Sequence, residues 1–230
     1  MPDAELARND EIQKKTGYHH GNLRNAIIDA VAQLIGERRS AQFQLKDVAA
    51  LVGTSQPAIY KHFDSKQALL VETAIVGYTL QKQFRDYALK VAAPSPLQKL
   101  LGIGYAYVHF AQTYPGFFLL MKYFETDEIL RSKRYQQQRD ETLTLVRSLI
   151  VEAIELDLFV DVNLDLAMTL LQSVAFGLAH QYIGEQIEYV ARELHNDKDL
   201  VARVFTLSMD SLLSEEGRRE LQQASYNPFA

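Results

Sequence analysis

The chain has 230 residues, 47% of them hydrophobic, a formal net charge of −5 and no cysteine. That is enough apolar material for one large domain or for a small one plus a larger one and too much for a disordered chain, while the missing thiols exclude disulfides, cysteine-based zinc sites and a thiol nucleophile and fit a reducing cytoplasm. The charge is uneven: residues 11–70 carry eight Lys/Arg against five Asp/Glu, and residues 71–230 carry fifteen against twenty-one, the pattern of a small anion-binding head on an acidic body.

The opening run M-P-D-A-E-L-A-R-N-D-E has no apolar signal core, and residues 1–17 read as a flexible arm. The spacing Leu23, Ile27, Val31, Leu34 predicts a helix over 22–37, followed by a polar gap at 38–44. A short helix is expected over 45–52, with Gly53 at the left-handed position beyond its end. Ser55 is suited to cap a third helix that Pro57 enters in its first turn and Phe63 closes. Asp64 and Gln67 have capping-box spacing for a fourth helix running to about Leu89.

The run A-A-P-S-P-L at 92–97 marks the clearest boundary, with Ser95 as cap and Pro96 as first residue of a helix that ends before Pro115-Gly116. Helices at 116–124, 127–156 (with an internal break allowed), 164–191 and 198–213 follow, and a polar tail from Gly217 is expected to fray. No hairpin dipeptide and no sustained alternation points to strands. The expected fold is all-α with about nine helices. Two uncharged stretches, 100–121 and 166–184, have the length of a bilayer span. Polar residues such as His109 and Gln112 in the first, and Gln172 and Gln181 in the second, make both read as buried helices, with no membrane implied.

Two short helices joined by a glycine turn make a helix-turn-helix. Val48, Val52, Ile59 and Phe63 fit its inner side. That leaves Thr54, Ser55, Gln56, Pro57, Ala58, Tyr60, Lys61 and His62 outward, with Lys46 on the preceding helix. Such a motif offers its second helix to base edges in the DNA major groove, and hydroxyls and cations to phosphates. Lys66 sits in the first turn of a helix, where a cation opposes the helix dipole; a phosphate opposite it would account for the residue. The same geometry also occurs inside larger helical folds, where these residues simply pack.

The run F-Q-L-K-D-V-A-A-L-V-G-T-S-Q-P-A-I-Y-K-H-F-D-S-K-Q-A-L-L, residues 43–70, closely resembles the DNA-binding domain of TetR-family transcriptional regulators. Asp47-Val48-Ala49, Gly53-Thr54-Ser55, Tyr60 to Phe63, and Ser65-Lys66 to Leu69 carry the resemblance, and Y-H-H-G-N-L-R at 18–24 looks like the entry to its first helix. Gln44 departs from the Ser or Thr that many members use to cap the second helix and touch a phosphate. Adjacent His19 and His20 point to different sides of a helix, which favours capping or phosphate contact over a shared metal.

The resemblance implies a head at 18–66, a helical effector-binding and dimerisation body at 67–216 and a tail at 217–230. It implies a homodimeric repressor that leaves a palindromic operator when a largely apolar small molecule binds. The body resembles the branch named for a Trp-His-Gly signature, although this chain reads Ala175-Phe176-Gly177 there. Tyr105, His109, Phe117, Phe118, Met121 and Phe176 are candidates to line an effector pocket, and the same spacing serves a filled core. Ser173, Gly177, His180, Gly184, Val204, Leu207 and Ser211 are candidates for a two-fold four-helix interface, and the same helices could bury within one subunit. No cofactor or metal is implied. An enzyme would need a phosphate loop, a metal-binding spacing or a nucleophile elbow, and none is present; Glu125, Asp127 and Glu128 suit a helix N-terminus. A protein-binding adaptor using the same helices is the third class.

Overall fold

The structure is a computed structural model that describes residues 23–223. Among the described residues it is all-α, with twelve helices: α1 Leu23–Arg38, α2 Leu45–Leu51, α3 Gln56–Tyr60, α4 Lys66–Val91, α5 Pro96–Thr113, α6 Pro115–Lys122, α7 Asp127–Arg131, α8 Lys133–Glu155, α9 Leu164–Ile183, α10 Ile187–Val190, α11 Leu200–Met209 and α12 Glu215–Gln223. The arm at 1–17 and the His19-His20 pair lie outside the described residues.

The chain divides into two compact units, one built from residues 23–79 with Tyr114–Gln138 and the other from Leu80–Thr113 with 139–223. The boundaries fall inside the continuous helices α4 and α8.

In the first unit α1 buries Ile27, Ile28, Val31, Leu34 and Ile35 and packs on α6. The approach is backbone to backbone: a Cβ on Gly116 would lie 1.8 Å from Ala32 O, and one on Gly36 would lie 3.4 Å from Gly116 N. Only glycine leaves room for that contact. Helix α6 is buried along its whole run from Gly116 to Met121, as an all-round apolar helix must be. Glu72 of α4 accepts from Arg24 Nη2 at 2.6 Å and from Arg134 Nη1 at 2.9 Å, joining α1, α4 and α8.

In the second unit α5, the later part of α8, α9 and α11 share a core that includes Leu101, Ile150, Phe159, Leu171, Leu178 and Phe205. Gly104 admits the Phe205 ring, whose Cζ would lie 2.5 Å from an added Cβ. Tyr105 donates to Lys198 O at 3.2 Å, and burial pushes its phenol up to about 12.

Three differences from the sequence reading raise the helix number from nine to twelve. Ser132 adopts an extended ψ of 114° and separates α7 from α8. Glu185 takes a left-handed φ of 56° after α9, so the expected 164–191 helix ends at Ile183 and resumes as α10. The expected fraying from Gly217 gives way, through residue 223, to α12. There Gly217 is a close-approach residue, since a Cβ would meet Leu158 O at 2.1 Å, and Leu221 is buried. The cap of α4 also shifts by one residue: Ser65 Oγ, not Asp64, accepts from Ala68 N at 3.0 Å.

Candidate nucleic-acid interface and effector cavity

Helix α2 ends in a two-bond reversal. Gly53, at a left-handed φ of 64°, donates to Ala50 O at 3.3 Å, and Thr54 N donates to Ala49 O at 2.9 Å. Both are the bonds of a Schellman motif, which satisfies carbonyls that a helix end leaves orphaned. Two residues later Ser55 Oγ accepts from Ala58 N at 3.3 Å and starts α3, with Pro57 in the first turn. The turn angle between the two helices is therefore set by Gly53 and Ser55 together.

Val48, Val52, Ile59 and Phe63 are all buried, as their spacing predicts. With that side anchored, Ser55, Gln56, Pro57, Lys61 and His62 are exposed, Tyr60 is 53% exposed, and Thr54 and Ala58 are half-buried at the helix entry. Lys46 is exposed on α2. Nine of the ten residues picked out for nucleic-acid contact thus stand on or beside the outward side of one short helix-turn-helix.

Lys66 is the tenth, and its environment differs from the expected one. Its ammonium donates to Phe43 O at 2.7 Å and to Ala41 O at 3.4 Å, and lies 4.1 Å from the centre of the Phe43 ring. Partial burial pushes its pKa down. A cation at a helix N-terminus is accounted for here by carbonyls and an aromatic face within the chain, without a phosphate. Asp47 stands in for the cap that Gln44 lacks: its carboxylate accepts from Arg38 at 2.8 Å and from Gln44 N at 3.4 Å. The Arg38 hydrogen bond is the main reason its pKa falls below the ordinary carboxylate range. Lys66 and Asp47 together pin the 41–44 segment that leads into α2.

A family model for bacterial regulatory proteins of the tetR family matches residues 27–73, the segment that holds this motif. The likeness to the tetR family rests on this segment. YobS of Bacillus subtilis (strain 168), an uncharacterised HTH-type transcriptional regulator, is 27% identical over 134 residues. That alignment covers 57% of this chain and 65% of the relative. Rv1255c of Mycobacterium tuberculosis, another uncharacterised HTH-type regulator, is 32% identical over 76 residues, or 33% of this chain and 37% of its own length. The match to these curated relatives therefore spans less than two-thirds of either. A protein of unknown function from Rhodococcus sp. RHA1 superposes with a TM-score of 0.66 over 87% of this chain and 100% of its own, at 20% identity. AibR, solved in complex with isovaleryl coenzyme A and operator DNA, gives 0.59 at 13% identity, over 69% of this chain and 85% of its own. At such identities the likeness is one of fold.

The six residues picked out for a ligand divide between the two units. Phe117, Phe118 and Met121 are enclosed in the first, where the Met121 sulfur occupies the space that a Cβ on Gly77 would need. Tyr105, His109 and Phe176 belong to the second. Tyr105 is in the core, His109 stands edge-on to Phe84 with ring centres 5.4 Å apart, and Phe176 is exposed. Neither unit gathers the six. The second unit holds a cavity of about 30 Å³ elsewhere, lined by polar residues of α4 and α8 and apolar ones of α5. Gln81 and Arg85 line it, although each is only 8% exposed. Sequence reading passed over them, yet a signal was present: Ala74, Tyr78, Gln81, Arg85 and Ala88 are buried at spacings of four, three, four and three, so two polar residues occupy the inward stripe of an otherwise apolar helix face.

The residues picked out for a dimer sit at the surface of the second unit. Ser173, His180 and Gly184 of α9 and its end, with Leu207 and Ser211 of α11 and its end, are exposed, and Gly177 and Val204 are half-buried. Apart from its chain neighbours and its own helix backbone, no atom lies within 4 Å of where a Gly177 Cβ would stand. Leu166 and Leu207 are 67% and 77% exposed.

Proposed function

We propose that this chain is a homodimeric transcription regulator, a repressor that grips a palindromic DNA operator through α2 and α3 and lets go when a small molecule binds its second unit. The observation that carries the reading is the outward side of α3: Gln56, Tyr60, Lys61 and His62 are exposed on a helix whose other side is anchored by Ile59. Recognition helices present base-reading and phosphate-binding groups in this way. The operator DNA bound by AibR is in keeping with it.

Dimerisation is supported by the apolar surface that α9 and α11 leave exposed, with Arg203 the charged residue of α11. Leu166, Ser173, Phe176, Gly177 and Leu207 leave apolar surface in water next to a residue with no side chain. Pairing the two helices with their copies would cover that surface, and half-sites about one DNA turn apart would then be read together. An effector acts only through a difference in affinity between DNA-competent and incompetent states. The cavity at Gln81 and Arg85 is the proposed effector site, and α4, which continues to the head residue Lys66, is the proposed route of coupling. Among the described residues no helix is long and apolar enough to cross a membrane, and the proposed site of action is the cytoplasm.

The test is selection of bound fragments from genomic DNA by the purified chain, followed by footprinting at two salt concentrations. A protected near-palindrome whose affinity falls steeply with salt is expected. Failure to enrich any sequence would sink the regulator reading, and a protein that is monomeric on its selected DNA would sink the dimer.

A further inference from the structure

The cavity of the second unit has an unusual chemical balance. Two cations, Lys82 and Arg85, line it and no carboxylate does. Asp86 faces both from outside the lining. One of its oxygens accepts from Lys82, and the other accepts from Arg85 Nε at 3.3 Å and Nη2 at 3.2 Å. Arg85 Nη1 donates to Thr142 Oγ1 at 2.8 Å. Three of the five guanidinium N–H groups are thereby used, and two remain. Two cations and one carboxylate leave a surplus of one positive charge.

Beside Arg85 the carboxamide of Gln81 is buried, and its Oε1 has no hydrogen-bond partner. A buried polar group in that state is costly, so it marks a place where a partner belongs. The amide can present either its oxygen or its nitrogen to the cavity by rotating half a turn. The opposite wall is apolar, with Ile103 and Tyr107 of α5.

We infer that this cavity takes a small carboxylic acid, head group first, with the carboxylate received by the free N–H groups of Arg85 and the amide of Gln81. A planar anion of single charge matches both the guanidinium fork and the surplus charge. The 30 Å³ of space suits a head group or a water, so the body of the acid lies along the Ile103 and Tyr107 side. The inference rests on the reading of this cavity as the effector site and adds the chemistry of the effector.

The experiment is calorimetric titration of the full chain with butyrate and hexanoate, and with 1-butanol and 1-hexanol as uncharged counterparts. Saturable binding of the acids is expected, at least tenfold tighter than that of the alcohols. Gln81→Glu, which places a competing carboxylate next to Arg85, should weaken the acids tenfold or more while leaving the melting temperature of the free protein near wild type. Arg85→Lys keeps the charge without the fork and should recover only part of the affinity lost in Arg85→Gln. Acids that bind no tighter than alcohols, or that bind Gln81→Glu undiminished, overturn the carboxylate assignment. Ile103→Trp, which fills the cavity, separates this from the underlying reading. Alcohols that bind wild type as tightly as the acids, and do not bind Ile103→Trp, would leave the cavity as the effector site and remove only the acid. No binding of either series to wild type would remove both.

Discussion

Helices α3 and α6 are both too short to persist alone in water, and they are stabilised in opposite ways. Helix α6 is eight residues long and buried along six of them, with two glycines bringing its backbone against α1. Helix α3 is five residues long and buries only Ile59. Its start is fixed by Ser55 and its approach by Gly53, so almost none of its surface is needed for folding. The contrast separates scaffold from the proposed reading helix: one short helix is consumed by the core, and the other is held at its ends so that its face stays open.

The contrast can be broken from the scaffold side. Gly116→Ala pushes a methyl group into Ala32 O, backbone against backbone. Overpacking of that kind costs roughly 3 kcal/mol. At this chain length that lowers the melting temperature by about 6–12 °C, measured by circular dichroism, and operator affinity falls with the folded fraction. Ile59→Ala removes the single anchor of α3, and a loss of about 2–4 kcal/mol is expected from denaturant unfolding. Ser55→Ala deletes the cap and costs about 1 kcal/mol, with a further drop in DNA affinity because the first turn of α3 frays.

Lys61→Ala sharpens the contrast by having almost no effect on stability, within about 0.5 kcal/mol. The same change should reduce the slope of log affinity against log salt by about one if Lys61 meets a phosphate. An unchanged slope would remove Lys61 from the interface.

Much of the head was legible in the sequence because its rules are local. A left-handed glycine, a serine cap, a proline in the first turn and four inward side chains at helical spacing are decided within residues 48–63. Lys66 was misread because its partners, Ala41 and Phe43, lie 25 and 23 positions back and are backbone oxygens that no side-chain pattern announces. Gly217 was misread for a related reason. Glycine near a chain end signals termination, but here it admits Leu158 O, a contact made across 59 positions of chain. The α7–α8 break was allowed for, whereas the kink at Glu185 follows from a left-handed residue that is not glycine. The pocket residues proposed from aromatic content were placed by size alone. Gln81 and Arg85 would have stood out through the opposite property, polarity on a face that should be greasy.

The glycine contact between α1 and α6 bears on how such a protein can be cut and joined. The segment matched as a family unit ends at residue 73, yet the apolar side of α1 is covered by a helix that begins at Pro115. A reading head transplanted as residues 23–79 alone would carry that side bare into solvent and aggregate. A chimera that is to fold around this head needs the 114–138 segment in its new host as well, or a replacement with glycine at the crossing.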